Sequence, residues 1–314
     1  MTSMVSSPSA TKLKALIRAL RPNQWIKNFS IFAAIVFTGQ LFNVEVLSSS
    51  IIAFLLFSAL SSASYLLNDI VDLPYDRLHP DKKYRPLASG RISVNEALQA
   101  LMILAFIGLA GAFFLDEAFF FVALIFFLLH VLYSLILKKV AVLDILAIAT
   151  SFMLRVFAGE VLTGFYPSIW LTITVVFLSL FIASCKRRSE LELEGEKTRP
   201  TLAHYRMRLL DLYTSTFATA TILTYSLFSF LGSNPEDYTG PLGEVVSSAF
   251  PQVVGRKLMI LTLPFMLYAI MRYAQLIYEK PVGEKPEALV TQDRPLVISI
   301  VLWGLLTIFI VYGL

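Results

Sequence analysis

Nine apolar stretches, at approximately 26–44, 47–67, 95–115, 118–137, 141–163, 168–185, 209–231, 257–278 and 295–313, decide most of what this chain can become. Each comes close to the roughly 20 residues that an α-helix needs to cross the hydrocarbon core of a bilayer. No water is available there for backbone N–H and C=O groups, so the stretches must satisfy them internally, as helices. Composition agrees, with 57% of residues hydrophobic, 15% charged and a mean hydropathy of +0.72. An average soluble domain carries about 25% charged residues. The expected fold class is an all-α integral membrane protein, a bundle of nine transmembrane helices. Residues 1–11 are Ser-rich and polar, expected to be a disordered tail without the marks of a secretory signal. Residues 12–314 then form one transmembrane domain.

Orientation follows from Lys and Arg. Lys12, Lys14, Arg18, Arg21 and Lys27 precede or open the first stretch, and Arg77, Lys82, Lys83, Arg85 and Arg91 lie between the second and third. Lys138 and Lys139 sit between the fourth and fifth, and Lys186, Arg187 and Arg188 begin a longer basic run after the sixth. The alternate connections hold Glu45, Asp116, Glu117, Glu236, Asp237 and Glu244. The N-terminus is therefore expected in the cytoplasm of a cell (inner) membrane and the C-terminus outside. The net charge of +4 is modest and sits in these connections, so no nucleic-acid partner is expected. The single cysteine, Cys185, excludes an intramolecular disulfide. The scattered His79, His130 and His204 offer no zinc spacing.

The most informative polar stretch is 68–91, NDIVDLPYDRLHPDKKYRPLASGR. On a continuous helix Asn68, Asp69, Asp72 and Asp76 fall within roughly 100° of one another, a single polar face. Closely spaced carboxylates repel unless a cation sits between them, and hard oxygen ligands suit Mg²⁺, which commonly takes one or two carboxylates plus substrate phosphates. These four are the candidate metal ligands, and Asp72 and Asp76 with Lys82 and Arg85 the candidate catalytic group. Lys82 and Arg85 would meet the remaining phosphate charge. A solvated loop between two membrane helices is the plain alternative.

Three other centres recur. In CKRRSELELEGEKTRPTLAHYRMR, 185–208, Lys186, Glu190 and Glu194 are spaced i, i+4, i+8 and flanked by Arg187 and Arg188. Ordinary surface pairs share that spacing. Here, though, the cluster ends a membrane helix on the same side as Asp69–Asp76, which makes Lys186, Arg187 and Glu190 candidate substrate contacts. Within the fifth stretch, Asp144, Ser151 and Arg155 recur at i, i+7, i+11. Ionisable residues at membrane depth are costly and face a cavity or a partner. Asp144 and Arg155 are expected either to support each other or to contact a polar substrate. Ahead of the first stretch, Arg21, Gln24, Lys27 and Asn28 share a face beside the interfacial Trp25. Lys27 and Asn28 are candidate contacts there, although topology alone would account for the charges.

These residues carry a resemblance. NDxxDxxxD at 68–76, followed by RP and a small-residue Gly, resembles the first motif of the UbiA superfamily of intramembrane prenyltransferases. RPNQWIKN at 21–28, HPDKKYRP at 79–86, YSLILKK at 133–139, DILAIATSFMLRVFAGE at 144–160, KRRSELE at 186–192 and DRPL at 293–296 resemble one phosphoribosyl-transferring branch of it. The resemblance implies nine helices around a central cavity, with Mg²⁺ holding a diphosphate at its cytoplasmic end. It also adds Tyr133 and Lys138 as substrate contacts. Other members of the superfamily carry a second Asp-rich motif between the sixth and seventh helices. Here that connection has no Asp before Asp211 and begins with Lys186, Arg187 and Arg188. Cations in place of carboxylates suit a phosphate-rich donor. The implied reaction is therefore phosphoribosyl transfer from phosphoribosyl pyrophosphate to a polyprenyl phosphate, in a membrane and in a possible homo-oligomer. An aromatic prenyltransferase of the same fold and a transporter using Asp144 and Arg155 are the alternatives.

Overall fold

The computed structural model describes residues 8–194, 205–231, 258–279 and 292–313. The segment expected between the sixth and seventh helices and the 279–295 connection lie largely outside the described residues. Among those described every regular element is helical. Apart from short 3₁₀ turns at Lys82–Tyr84, Leu137–Lys139 and Leu258–Thr262, they are in order α1 (Pro8–Leu20), a 3₁₀ segment (Pro22–Phe32), α2 (Ala33–Phe37), α3 (Val44–Val71), α4 (Leu73–Leu78), α5 (Val94–Leu115) and α6 (Glu117–Leu135). Then come α7 (Leu143–Thr163), α8 (Ile169–Glu194), α9 (Met207–Leu231), α10 (Leu263–Glu279) and α11 (Arg294–Gly313). Because α1 begins at Pro8, part of the expected 1–11 tail is helix.

Among the described residues seven segments are long and apolar enough to cross a membrane: α3, α5, α6, α7, Ile169–Glu192 of α8, Leu258–Glu279 and α11. The protein is thus a multi-pass membrane protein, and the expected count of nine is not reached on these criteria. The 209–231 stretch is indeed one long helix, α9, but eight Ser and Thr residues dilute its apolar character. Several of their hydroxyls bond back to carbonyls within the helix, Thr221 to Phe217 and Ser229 to Tyr225 among them.

The 26–44 stretch departs further. It enters as a 3₁₀ helix, continues for five residues as α2 and turns at Gly39, whose φ is +75°. A 3₁₀ helix rises about 2.0 Å per residue, so eleven residues cover about 22 Å, more than an α-helix of that length would. The segment descends beside α3, and polar pairs recur along the contact. Trp25 Nε1 donates to Ser62 Oγ at 3.0 Å, and Asn28 Nδ2 to Ser58 Oγ at 3.0 Å. Deeper still, Ile31 packs against α7 so closely that a Cβ on Gly159 would lie 2.0 Å from the Ile31 carbonyl oxygen. A side chain there has nowhere to go.

The expected single helical face across Asn68–Asp76 is interrupted. Helix α3 ends at Val71, Asp72 caps it, and α4 restarts at Leu73. Pro74 has no N–H to return to the preceding turn, which accounts for the break. Asn68 and Asp69 therefore sit on the last turn of α3, Asp72 at the junction and Asp76 on α4. Capping side chains set the other ends: Ser93 and Glu96 form a reciprocal box on α5, and Asp116 accepts the Phe119 N–H at 2.7 Å to open α6. Residues such as Ile103, Phe106 and Ile107 of α5 are exposed at helical spacing, the face that a lipid chain would cover.

Replacing Gly159 by Ala is expected to lower the thermal unfolding temperature in detergent by the equivalent of about 1–3 kcal/mol, through overpacking against backbone. Gly304→Ala in α11, where nothing lies within 4 Å, should leave it unchanged or higher. Equal behaviour of the two variants would show that the Ile31–Gly159 contact gives way freely.

Candidate active site

One cavity of about 1290 Å³ runs down the middle of the bundle. At the end formed by α4 it is lined by Asn68, Asp69, Asp72, Asp76, Lys82 and Arg85. Lys138, Lys186, Tyr133 and Glu190 face the same cavity, as do Lys27 and Arg155 further in.

Withdrawal of Asp69 and Asp76 from solvent demands countercharge, and the structure supplies it from three segments. Arg21 Nη2 reaches Asp69 Oδ1 at 2.5 Å, while Arg85 Nη1 bridges Asp69 Oδ1 at 3.3 Å and Asp76 Oδ2 at 2.8 Å. Burial pushes the Asp76 carboxyl above the usual carboxylate range, and the neighbouring Arg85 opposes that rise. Lys138 Nζ donates to Asp72 Oδ1 at 2.6 Å and to Asn68 Oδ1 at 2.9 Å. Asn68 Nδ2 completes the arrangement by donating to Asp72 Oδ2 at 3.0 Å. The motif is thus an alternation of carboxylates and cations at the cavity mouth. Sequence reasoning left Arg21 out of the candidate set, because topology explains a basic residue at that place equally well. Its backbone, at φ +52° just before Pro22, is the local feature that turns it toward Asp69.

Behind the wall lies a second network. Arg187 is fully buried, with Nε on Asp144 Oδ2 at 2.5 Å, Nη1 on Glu190 Oε2 and Nη2 donating to Tyr133 Oη at 3.0 Å. Tyr205 Oη donates to Asp144 Oδ1 at 2.7 Å and accepts the Val142 N–H at 2.6 Å. Burial and the Asp144 charge push the Tyr205 hydroxyl well up, so it remains a donor. Lys186 Nζ stands 4.0 Å from Glu190 Oε1. The Glu194 side chain lies outside the described residues.

Three expected contacts therefore change role. Arg187 and Asp144 are spent on each other and are absent from the cavity lining, with Glu190 and Tyr133 presented in their place. Asn28 is also buried off the cavity, accepting from Arg155 Nε at 2.7 Å. Nor do Asp144 and Arg155 support each other. Eleven residues along a helix put them about 16 Å apart, beyond the reach of either side chain. Arg155 instead donates to the Ser151 carbonyl at 2.7 Å and to Ser151 Oγ at 2.6 Å, beneath the Phe126 ring at 4.6 Å. Tyr205 carried no sequence signal, since only the tertiary fold brings it to Asp144.

The donor set at the mouth fits Mg²⁺ in chemistry: three carboxylates and an amide oxygen between Asn68 and Asp76. Among the described residues no three His, Cys, Asp or Glu side chains close on a point as a preformed cage. An ion completed by water and substrate phosphates needs none.

The profile of the UbiA prenyltransferase family matches residues 28–291. The decaprenyl-phosphate phosphoribosyltransferase of Mycobacterium tuberculosis is 32% identical over 96% of this chain and 95% of its own length. That of Corynebacterium glutamicum is 31% identical over 97% and 89%. Among solved structures, a UbiA homologue from Archaeoglobus fulgidus bound to GPP and Mg²⁺ superimposes with a TM-score of 0.67, at 20% identity over 95% of this chain and 99% of that one. At that identity the likeness concerns the fold.

Arg187→Met would strand Asp144 and Glu190 without their buried cation and is expected to cost about 3–5 kcal/mol of stability. Lys186→Met, at a half-buried amine, should cost about 0–1 kcal/mol. Thermal unfolding of both variants in one detergent checks this; equal midpoints would mean that the Arg187–Asp144 pair holds nothing together.

Proposed function

The chain belongs to the UbiA prenyltransferase family, and from that premise we propose that it transfers the 5-phosphoribosyl group of phosphoribosyl pyrophosphate to a polyprenyl phosphate of decaprenyl type, releasing pyrophosphate. The observation that carries this reading is relatedness along nearly the whole chain to phosphoribosyltransferases of that acceptor. The geometry adds cations at the mouth in numbers that suit a donor with three phosphates. Arg21, Arg85 and Lys138 hold the motif carboxylates, and Lys82 and Lys186 face the same space.

Asn68, Asp69, Asp72 and Asp76 would hold Mg²⁺ against the donor diphosphate, where the ion would supply neutralisation of the departing pyrophosphate. Arg21, Arg85 and Lys138 already lie among the carboxylates, and small side-chain shifts turn them to phosphate oxygens. Lys82 and Lys186 bind the phosphate charge left over. Glu190 and Tyr133, held by Arg187, offer an acceptor and a hydroxyl to the ribose. The bond from the anomeric carbon to the pyrophosphate oxygen breaks while a lipid phosphate oxygen bonds to that carbon from the opposite face. That phosphate is already an anion at neutral pH, so no residue need act as its base. Positioning and fixed charge supply the acceleration.

In this reading residues 12–314 are one domain with nine crossings, the first made by the 3₁₀ segment with α2 and the seventh by α9. The N-terminus and the mouth of the cavity face the cytoplasm of an inner membrane.

The test is incubation of purified protein with Mg²⁺, labelled phosphoribosyl pyrophosphate and decaprenyl phosphate. Label is expected in the lipid, and its absence there would remove the assignment. Asp72→Asn should abolish transfer while leaving a folded, membrane-inserted protein, because an amide binds Mg²⁺ less well than a carboxylate. Wild-type turnover at low Mg²⁺ would exclude Asp72 as a ligand.

A further inference from the structure

Among the described residues, every carboxylate that lines the cavity lies at its α4 end: Asp69, Asp72, Asp76 and Asp81, with Glu190 near the end of α8. Arg155 is placed differently. Its partner Asn28 also takes the Ser61 hydroxyl, at 3.4 Å, and Ser61 precedes Asp69 by eight residues of α3. That sets Arg155 about 12 Å further into the bundle than Asp69.

Arg155 is only 2% exposed, yet the hydrogen-bond partners of its guanidinium among the described residues are all neutral: Asn28 Oδ1 on Nε, and the Ser151 carbonyl and Oγ on Nη1. Its one face lies over Phe126, and His130 Nε2 meets Ser151 Oγ at 3.0 Å without adding a countercharge. Among the described residues Nη2 has no hydrogen-bond partner, and the residue lines the cavity. A buried cation without an anion is costly in a membrane interior. Elsewhere in this protein the buried arginine Arg187 is doubly paired with carboxylates. Among the described residues no carboxylate pairs with Arg155.

We infer that Arg155, together with the Lys27 that lines the same cavity, forms a second phosphate site, separate from the carboxylate motif, which takes the phosphate monoester of the lipid acceptor. This rests on the reaction proposed above and assigns one of its two substrates to a place. Spacing favours the acceptor. A diphosphate held at Asp69–Asp76, the carbon it leaves and an attacking phosphate about 3 Å beyond that carbon together span on the order of 10 Å. Past Arg155 the lining turns apolar, through Phe29, Phe32, Phe37, Leu171 and Trp303, as a prenyl chain requires.

The experiment measures equilibrium binding to the purified full chain in detergent, using decaprenyl phosphate, decaprenol and phosphoribosyl pyrophosphate. In wild type with EDTA, decaprenyl phosphate should bind about 10- to 150-fold more tightly than decaprenol, the range for one charge-assisted hydrogen bond. Arg155→Met should erase that preference, Arg155→Lys should keep part of it, and the affinity for phosphoribosyl pyrophosphate with Mg²⁺ should stay within about twofold. If the wild type shows no preference for the phosphate, or shows one only with Mg²⁺, the site is overturned without recourse to any variant. Equal losses for donor and lipid in a folded Arg155→Met would overturn it too, giving the cation to the donor. The transfer assay stands apart. Wild type that transfers no label but keeps a metal-independent preference lost in Arg155→Met retires the reaction and retains the site; transfer without that preference does the opposite.

Discussion

The pair between Arg187 and Asp144 is the interaction around which the polar half of this protein is assembled. Both side chains are out of water, so neither tolerates loss of the other. Satisfying them draws in Glu190 from the same helix, Tyr133 from α6 and Tyr205 from just before α9. One buried charge pair thereby ties α6, α7, α8 and the start of α9 at a single level. Val142, which caps the start of α7, even sits at φ +71°, a conformation that a β-branched residue rarely adopts. The Tyr205 hydroxyl bonds its N–H there. The cavity wall that presents Glu190 and Tyr133 is held from behind.

A second framework runs along α3. Arg21 meets Asp69, Gln24 meets the Tyr65 hydroxyl, Trp25 meets Ser62, and Asn28 meets Ser58 and Ser61. The contacts run down both segments together, from 21 to 28 on one and from 69 to 58 on the other, which keeps the 3₁₀ segment in register with a helix of different pitch. Serine suits such a ladder, because its hydroxyl also bonds back to its own helix, as Ser58 does to Phe54, and leaves no polar group stranded. The ladder ends at Gly159, where α7 touches the backbone of Ile31.

The two frameworks meet in a cavity whose charge is graded. Carboxylates and cations alternate at the mouth, a lone guanidinium stands deeper, and aromatic side chains line the remainder. A phosphorylated sugar and a phosphorylated lipid approaching from opposite ends would each find their own chemistry there. At the mouth the carboxylates are held in place by internal pairs with Arg21, Arg85 and Lys138.

The sequence by itself determined the helical class, the motif at 68–91 and the sense that Arg155 and Asp144 matter, because hydropathy and charge are local properties that a bilayer reads directly. Most of the candidate residues named from it, Lys138 and Lys186 among them, line the cavity. Only the tertiary structure decided which charges face the cavity and which face each other. Periodicity along one helix does not reveal that Asp144 belongs to Arg187, or that Asn28 is a partner of Arg155 and lies off the cavity. The 3₁₀ course of 22–32 was equally hidden, since an apolar run reads as an α-helix until its polar residues are seen to align with serines on a neighbour. Pairing between segments remote in sequence depends on where the backbones cross, and that is settled by packing.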